Sequence, residues 1–263
     1  GFSWYFLVMG DLIKALACVA LCFVIPLFFR FSTIGPVHAY QRWHKNVFMP
    51  KMAGALGGFR YSPEGGVSSK VLPATLVVPD HDEYETEDCF MGLYKGIKVI
   101  FSEARLYRKS KKVFSGLFVL LELPRKIVKG HVIVTANRKM AEVYQRGRWK
   151  DLQLVAGDST NPDREKFFVY SKDADEGEKL ADVRLLKELT EAADIFKKSP
   201  LTAVFFRDKY VFVMVPHDED MFEASDMREA VPTHQHVTTR KKEIEKLLKI
   251  IDVFDIYQSG ADL

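Results

Sequence analysis

From Leu12 to Phe29 the chain is apolar at every position except Lys14, and no other stretch repeats this. As a helix the run is about 27 Å long at roughly 1.5 Å per residue, close to the ~30 Å hydrocarbon core of a bilayer. Soluble helices alternate apolar and polar faces, whereas this one is apolar all round, which predicts a transmembrane helix. Lys14 sits one turn from one end, where its stem can snorkel to the headgroups. Pro26 lies inside the run, a position membrane helices tolerate. A cleaved signal peptide would need a basic stretch before the apolar core and small residues after it, but the exit here is Pro26-Leu27-Phe28-Phe29-Arg30-Phe31. Upstream, Phe2–Met9 is already apolar and aromatic, and Gly10-Asp11 breaks the pattern. This predicts the tail of an earlier membrane helix, a tight turn and a returning helix over 12–29. The alternative is one long tilted helix with Asp11 and Lys14 one turn apart.

Beyond Arg30 the periodicity is that of a folded domain. Residues 33–56 read as helix interrupted at Gly35-Pro36 and Pro50, and Gly57 to Pro73 as a Gly/Ser/Pro-rich linker. Asp80 to Asp88 reads as an acidic loop. Period-two alternation then predicts strands over Phe90–Tyr94 and Ile97–Tyr107, turning at Lys95-Gly96, with two more over Lys112–Leu123 and His131–Ala136. A short helix over Met140–Arg146 follows, with short strands at Leu152–Val155 and Phe167–Tyr170 around a polar loop at Gly157–Pro162. Asp182 is placed to cap a helix through Phe196. Leu201–Arg207 and Tyr210–Val215 form a hairpin over Asp208-Lys209. Glu223–Val231 is a short helix, and a last helix from Thr238/Thr239 carries Ile244, Leu247, Leu248, Ile251 and Phe254 at helical spacing. The fold class is α+β: an N-terminal transmembrane hairpin whose first helix is incomplete, then antiparallel sheet with segregated helices. The boundaries are 1–32 for the membrane segments, 33–73 for a juxtamembrane helix and linker, and 74–263 for the α+β domain. With 48% hydrophobic and 13% aromatic residues the domain can bury a core.

Two glycines have physical roles in this reading. Gly96 falls where a hairpin needs positive φ, and Gly116 falls inside a strand, where a bulge or close backbone approach is expected.

The segment Phe90-Met91-Gly92-Leu93-Tyr94-Lys95-Gly96-Ile97-Lys98-Val99-Ile100-Phe101-Ser102-Glu103, followed by Val113-Phe114-Ser115-Gly116-Leu117-Phe118, resembles the signature of a bacterial membrane-anchored family, domain-of-unknown-function family 3137. Phe167-Phe168-Val169-Tyr170-Ser171, the Leu185/Leu186 helix, Phe206-Arg207-Asp208-Lys209-Tyr210 and Asp220-Met221-Phe222-Glu223 are similar to its later segments, in order. The resemblance covers roughly residues 40–260. It implies a membrane hairpin followed by a cytoplasmic α+β domain and brings no catalytic residues. It also implies a LemA-type membrane protein as a candidate partner.

Charge is distributed unevenly. Residues 105–150 hold 13 Lys/Arg against Glu122 and Glu142, net +11, while residues 151–263 hold 16 Lys/Arg against 24 Asp/Glu, net −8. One reading is that the two halves complement each other. The other is that Arg105, Arg108, Lys109, Lys111 and Lys112, with Arg125, Lys126 and Lys129, face anionic headgroups or a partner. Arg30, Arg42, Lys45 and Lys51, with no acid between 30 and 51, put the domain on the cytoplasmic side of a bacterial inner membrane by the positive-inside rule. Cys18 and Cys22 lie in the apolar run and Cys89 stands alone, so no disulfide framework is implied. A nucleic-acid partner is disfavoured because no recognisable binding module is present.

Candidate chemistry is sparse. The Gly-rich phosphate loops and the nucleophile elbow are absent. The acidic loop with His81, the His217-Asp218-Glu219-Asp220 patch and the His234/His236 pair offer metal donors, but none has the spacing of a recognised site. Cys89 beside carboxylates has its thiolate disfavoured. The sequence therefore predicts a membrane-anchored interaction, scaffold or accessory protein, oligomeric or bound to a membrane partner, with no catalytic residue, no cofactor and no metal assigned. The alternative is a metal-dependent hydrolase using the acidic loop with His217 or the His234/His236 pair.

Overall fold

The computed structural model describes residues 14, 19–27, 35–155, 163–218, 220–224 and 233–257, with the side chains of Arg164, Thr233, His234, His236, Asp255 and Ile256 outside it. Residues 1–13, most of 14–18, 28–34 and the Gly157–Pro162 loop lie outside the described residues, as does most of the expected 223–231 helix. Residues 19–27 are helical and expose Val19, Leu21, Phe23, Val24, Ile25 and Leu27, with Phe23 72% exposed. Among the described residues no helix is long and apolar enough to cross a membrane.

One antiparallel sheet dominates the fold. Its nine described strands are β1 (Arg60–Ser62), β2 (Glu83–Tyr94), β3 (Ile97–Arg108), β4 (Lys111–Glu122), β5 (Val132–Thr135), β6 (Gln153–Leu154), β7 (Phe168–Ser171), β8 (Thr202–Phe206) and β9 (Tyr210–Pro216). Their order in space is β1-β2-β3-β4-β9-β8-β5-β7-β6. The helices are α1, a rod over 35–55 that contains a π turn at His44–Phe48 and ends in Met49–Ala55, then α2 (Leu72–Thr75), α3 (Arg138–Gln145), α4 (Ala174–Leu180), α5 (Val183–Ile195) and α6 (Thr233–Asp252). Antiparallel sheet with packed helices is the expected α+β class.

Both faces of the sheet are covered. Period-two alternation sends Val99, Phe101, Leu117, Val119, Val213 and Phe205 to one face, where α1, α5 and α6 add Met49, Leu186, Leu189, Leu247 and Ile251. It sends Leu106, Phe118, Phe206, Phe212 and Met214 to the other, against Val67, Leu72, Met140 and Trp149. Trp149 is fully buried, and its indole N–H donates to the Leu76 carbonyl at 2.9 Å.

The local reasons match the sequence at several points. The Asp182 carboxylate accepts from the Leu185 amide at 2.8 Å and starts α5. Gly96 has φ +79 in the β2–β3 turn. The stripe on α6 is core, with Ile244, Leu247 and Ile251 buried.

Other expectations need correction. Pro50 does not interrupt α1. The π turn precedes it, with the Met49 amide bonded to the His44 carbonyl, so the missing proline N–H falls where the hydrogen-bond pattern is changing anyway. The expected linker at 57–73 contains β1, which pairs Arg60 with Met91, and the start of α2. The expected acidic loop is mostly strand: Glu83 to Asp88 belong to β2, and Glu85 pairs in register with Arg105. The final helix begins at Thr233 rather than Thr238, and α4, capped by Asp173, was not foreseen.

Gly116 joins the two halves of the sheet. It pairs with Pro216 at the β4–β9 seam with φ +153, and a Cβ there would lie 2.1 Å from the Val215 oxygen and 2.8 Å from the His217 nitrogen. Backbone atoms in a central ladder cannot swing aside as a flexible side chain could. Gly116→Ala is therefore expected to lower unfolding free energy by about 3 kcal/mol or more, measured by urea denaturation. A loss under about 1 kcal/mol would mean the seam is looser than described.

Candidate functional site

The alternation that buries Val99 and Phe101 continues along β3, so Glu103 and Arg105 project on the α1 side, opposite Glu87 and Glu85 of β2. Between Glu87 and Phe90 the register shifts, and Asp88 and Cys89 together oppose Ser102. Asp88 adopts φ +52 in this bulge, a conformation that re-aims a side chain out of the pleat. Its carboxylate is 1% exposed and accepts from the Tyr61 hydroxyl and from Lys45 at 3.2 Å. The π turn of α1 sets His44 and Lys45 toward the sheet, where His44 Nε2 donates to the Phe222 carbonyl at 3.0 Å. Asp220 and Glu223, after β9, close the cluster.

Two carboxylate triads result. The ligand oxygens of Glu87, Asp88 and Glu223 lie within 4.8 Å of one another, as do those of Glu87, Glu103 and Asp220. Such oxygen sets suit a hard cation, yet each triad already encloses a protein cation. Lys45 Nζ stands 3.0 Å from Glu87, 3.2 Å from Asp88 and 3.4 Å from Glu223. The Arg105 guanidinium bonds Glu87 and Asp220, with Glu103 at 3.9 Å. An ammonium and a guanidinium take the places an ion would need, so the set does not fit a metal centre.

Burial and pairing set the proton affinities. Burial pushes the Glu103 carboxyl up to about 7, against the opposing Met221 amide, which donates to it at 2.7 Å; Asp88, Glu87 and Asp220 push it further up. Burial also raises Asp88, offset in part by Tyr61 and Lys45. Glu87 is held below its ordinary value because Lys45 and Arg105 outweigh its burial. For Lys45, burial favours the neutral amine, but Asp88, Glu87 and Glu223 outweigh it and the ammonium is held. The Cys89 thiol is pushed up to about 11 by burial, so desolvation, rather than the neighbouring carboxylates, is what disfavours its thiolate.

On the opposite face, near the start of β4, an open groove of about 850 Å³ lies between β4, α3, the α5–β8 turn and the end of β9. Val113 and Val143 are exposed in it, and Lys139, Lys198 and Asp218 stand at its rim. Ser115 and His217 line both this groove and a cavity of about 10 Å³ beside Glu103, Arg105 and Asp220, roughly the room one water needs. The His217 ring meets Phe196 edge-on at 6.0 Å.

The basic residues singled out in the sequence are separated by the fold. Arg105 belongs to the carboxylate cluster. Arg108 lies 3.8 Å from Asp80, which Arg148 also engages. Lys109, Lys111 and Lys112 are exposed at the β3–β4 turn. Arg125, Lys126 and Lys129 follow the far end of β4, where Lys126 pairs with Asp208 at 2.6 Å and the Lys129 amide donates to Glu176. Lys45, Tyr61 and Glu223 were not foreseen as parts of one site; a buried bulge that gathers residues 45 to 223 leaves no local spacing to read.

The fold defines an α+β domain with a single antiparallel sheet and an internal charge network. The chain belongs to the DUF3137 family, described as a protein of unknown function, whose family model matches residues 112–256. No curated protein and no solved structure matches it.

Glu103 titrates near 7 in the folded chain and near 4.5 unfolded, so its contribution to stability is full below about pH 4.5 and is lost as pH rises through 7. Glu103→Gln, which keeps an acceptor for the Met221 amide, is expected to gain stability over the parent on going from about pH 5 to about pH 8, on the order of 2 kcal/mol. Thermal melts across that range check it, and parallel curves for the two proteins would refute it.

Proposed function

We propose that the chain is a membrane-anchored scaffold or accessory protein whose α+β domain stands at the cytoplasmic face of a bacterial inner membrane and binds a membrane-protein partner or further copies of itself. The observation that carries this reading is the helix at 19–27, whose large apolar side chains are exposed on all sides, ahead of a domain whose own cores are closed on both faces of the sheet. α1, which follows, is fixed to the sheet by His44, Lys45, Met49 and Ala53. A tether entering through α1 thus holds the domain by a rigid element. A LemA-type membrane protein is the partner that the family resemblance suggests.

Weighing against the rival hydrolase reading, several of the carboxylates it would use already have protein partners. The acidic residues are engaged by Lys45 and Arg105, by Arg108 and Arg148 at Asp80, and by the Lys109 amide at Asp82.

The full chain is expected to sediment with membranes after cell rupture, to resist high-salt and alkaline washing, and to be released by detergent. Replacing Phe23 and Val24 with Asp is expected to move most of it to the aqueous fraction, since a charge at the helix centre costs about 3 kcal/mol on insertion scales. Parent protein found in the aqueous fraction without detergent would overturn the proposal.

A further inference from the structure

The long strands give the domain two unlike ends. β3 and β4 each run twelve residues, which separates their ends by about 40 Å. At one end is the β3–β4 turn, with Arg108, Lys109, Lys111 and Lys112. At the other are the Lys95-Gly96 turn and the segment bearing Arg125, Lys126 and Lys129, tied down by the Leu123, Ile127 and Val128 amides donating to the Lys209 and Asp208 carbonyls. A single flat surface laid across one end cannot reach both basic groups.

The direction of α1 decides between the ends. Lys45 stands over Glu87 and Asp88, and the backbone after the helix, Gly58-Phe59, lies against Gly92. α1 therefore runs the same way as β2, from the Glu83 end toward Tyr94. From Lys45 back to residue 35 is about 15 Å of helix, and from Glu87 back to Glu83 is about 13 Å of strand. The chain thus enters the domain level with the β3–β4 turn. Only residues 28–34 separate this entry from the apolar helix, a reach of at most about 28 Å when fully extended. That is shorter than the strands themselves.

The turn is built to present cations. Lys109 and Ser110 both have positive φ, 49° and 61°, the pattern of a tight two-residue hairpin turn. The Lys109 amide donates to Asp82 at 2.8 Å, which fixes the turn without engaging the lysine side chain. Asp80 is taken by Arg108 and Arg148. Among the described residues Lys109, Lys111 and Lys112 make no ion pair, and Val113 beside them is 39% exposed.

We infer that the β3–β4 turn is a contact for the phosphates of anionic phospholipid headgroups, made by Lys109, Lys111 and Lys112, and that the end bearing Arg125, Lys126 and Lys129 faces away from the bilayer. This rests on the tether reading above. Three lysines near an anionic surface strengthen a contact roughly a hundredfold, an effect that falls off over a Debye length.

The test uses the full chain with Cys18 and Cys22 changed to Ala; Cys89 is fully buried and does not label. A fluorophore is attached at Ser110→Cys or, separately, at Lys126→Cys. Each protein is reconstituted into phosphatidylcholine vesicles with or without about one-third phosphatidylglycerol, carrying a headgroup-linked quencher. Quenching at position 110 is expected to exceed that at position 126 several-fold in anionic vesicles. It is expected to fall when Lys109, Lys111 and Lys112 are all changed to Gln, or in high salt. Equal quenching at the two positions, or quenching indifferent to the triple substitution, would overturn the headgroup contact. Flotation of the same samples in high salt separates the two readings: a chain that floats but is not quenched at 110 leaves the tether standing, and a chain that does not float removes both.

Discussion

Pairing of β4 with β9 makes one sheet out of two. On one side is the meander β1 to β4, and on the other are β8, β5, β7 and β6; β5 follows β4 directly in the chain, whereas the β8–β9 hairpin that closes the seam comes only after α3, α4 and α5. The seam runs from Gly116 opposite Pro216 to Glu122 opposite Tyr210. Its residues feed both cores, since Leu117, Val119 and Val213 point one way and Phe118, Phe212 and Met214 the other. An absent side chain at Gly116 permits the approach. The same closeness carries the chain beyond β9 back over β4, where His217 bonds Ser115 and Met221 reaches Glu103.

The charge network depends on that return path. Asp220 and Glu223 arrive from beyond β9, Lys45 from α1, and Glu87, Asp88, Glu103 and Arg105 from the meander. Buried charges of one sign repel unless each finds a counter-ion, and here each cation is shared among carboxylates drawn from different parts of the chain. Breaking one partnership would leave the others uncompensated. Ion pairs also join the basic stretch of the sequence to the acidic one, Arg105 with Asp220 inside the network and Lys126 with Asp208 outside it.

Local signals in the sequence carried much of the fold. The β2–β3 hairpin followed from Gly96, the start of α5 from Asp182, the close approach at β4 from Gly116, and the core stripe of α6 from its spacing. What escaped depends on distant partners. A three-residue strand at Arg60 exists only because β2 lies beside it. Glu83, Glu85 and Glu87 look like loop until Arg105 is placed across from them. The site was the least legible part: basic residues that form one block in sequence are parted by the length of a strand, and Arg105 turns inward to the carboxylates while Lys109, Lys111 and Lys112 face water.

The π turn at His44–Phe48 has a geometric consequence for the rod that contains it. Such a turn amounts to one surplus residue in a helix, and one residue corresponds to about 100° of rotation. Everything before His44 is therefore swung by that angle relative to Met49 and Ala53, which are anchored in the core. Excising a single residue there would leave the rod its length to within about 1.5 Å, yet would turn its leading half to another bearing.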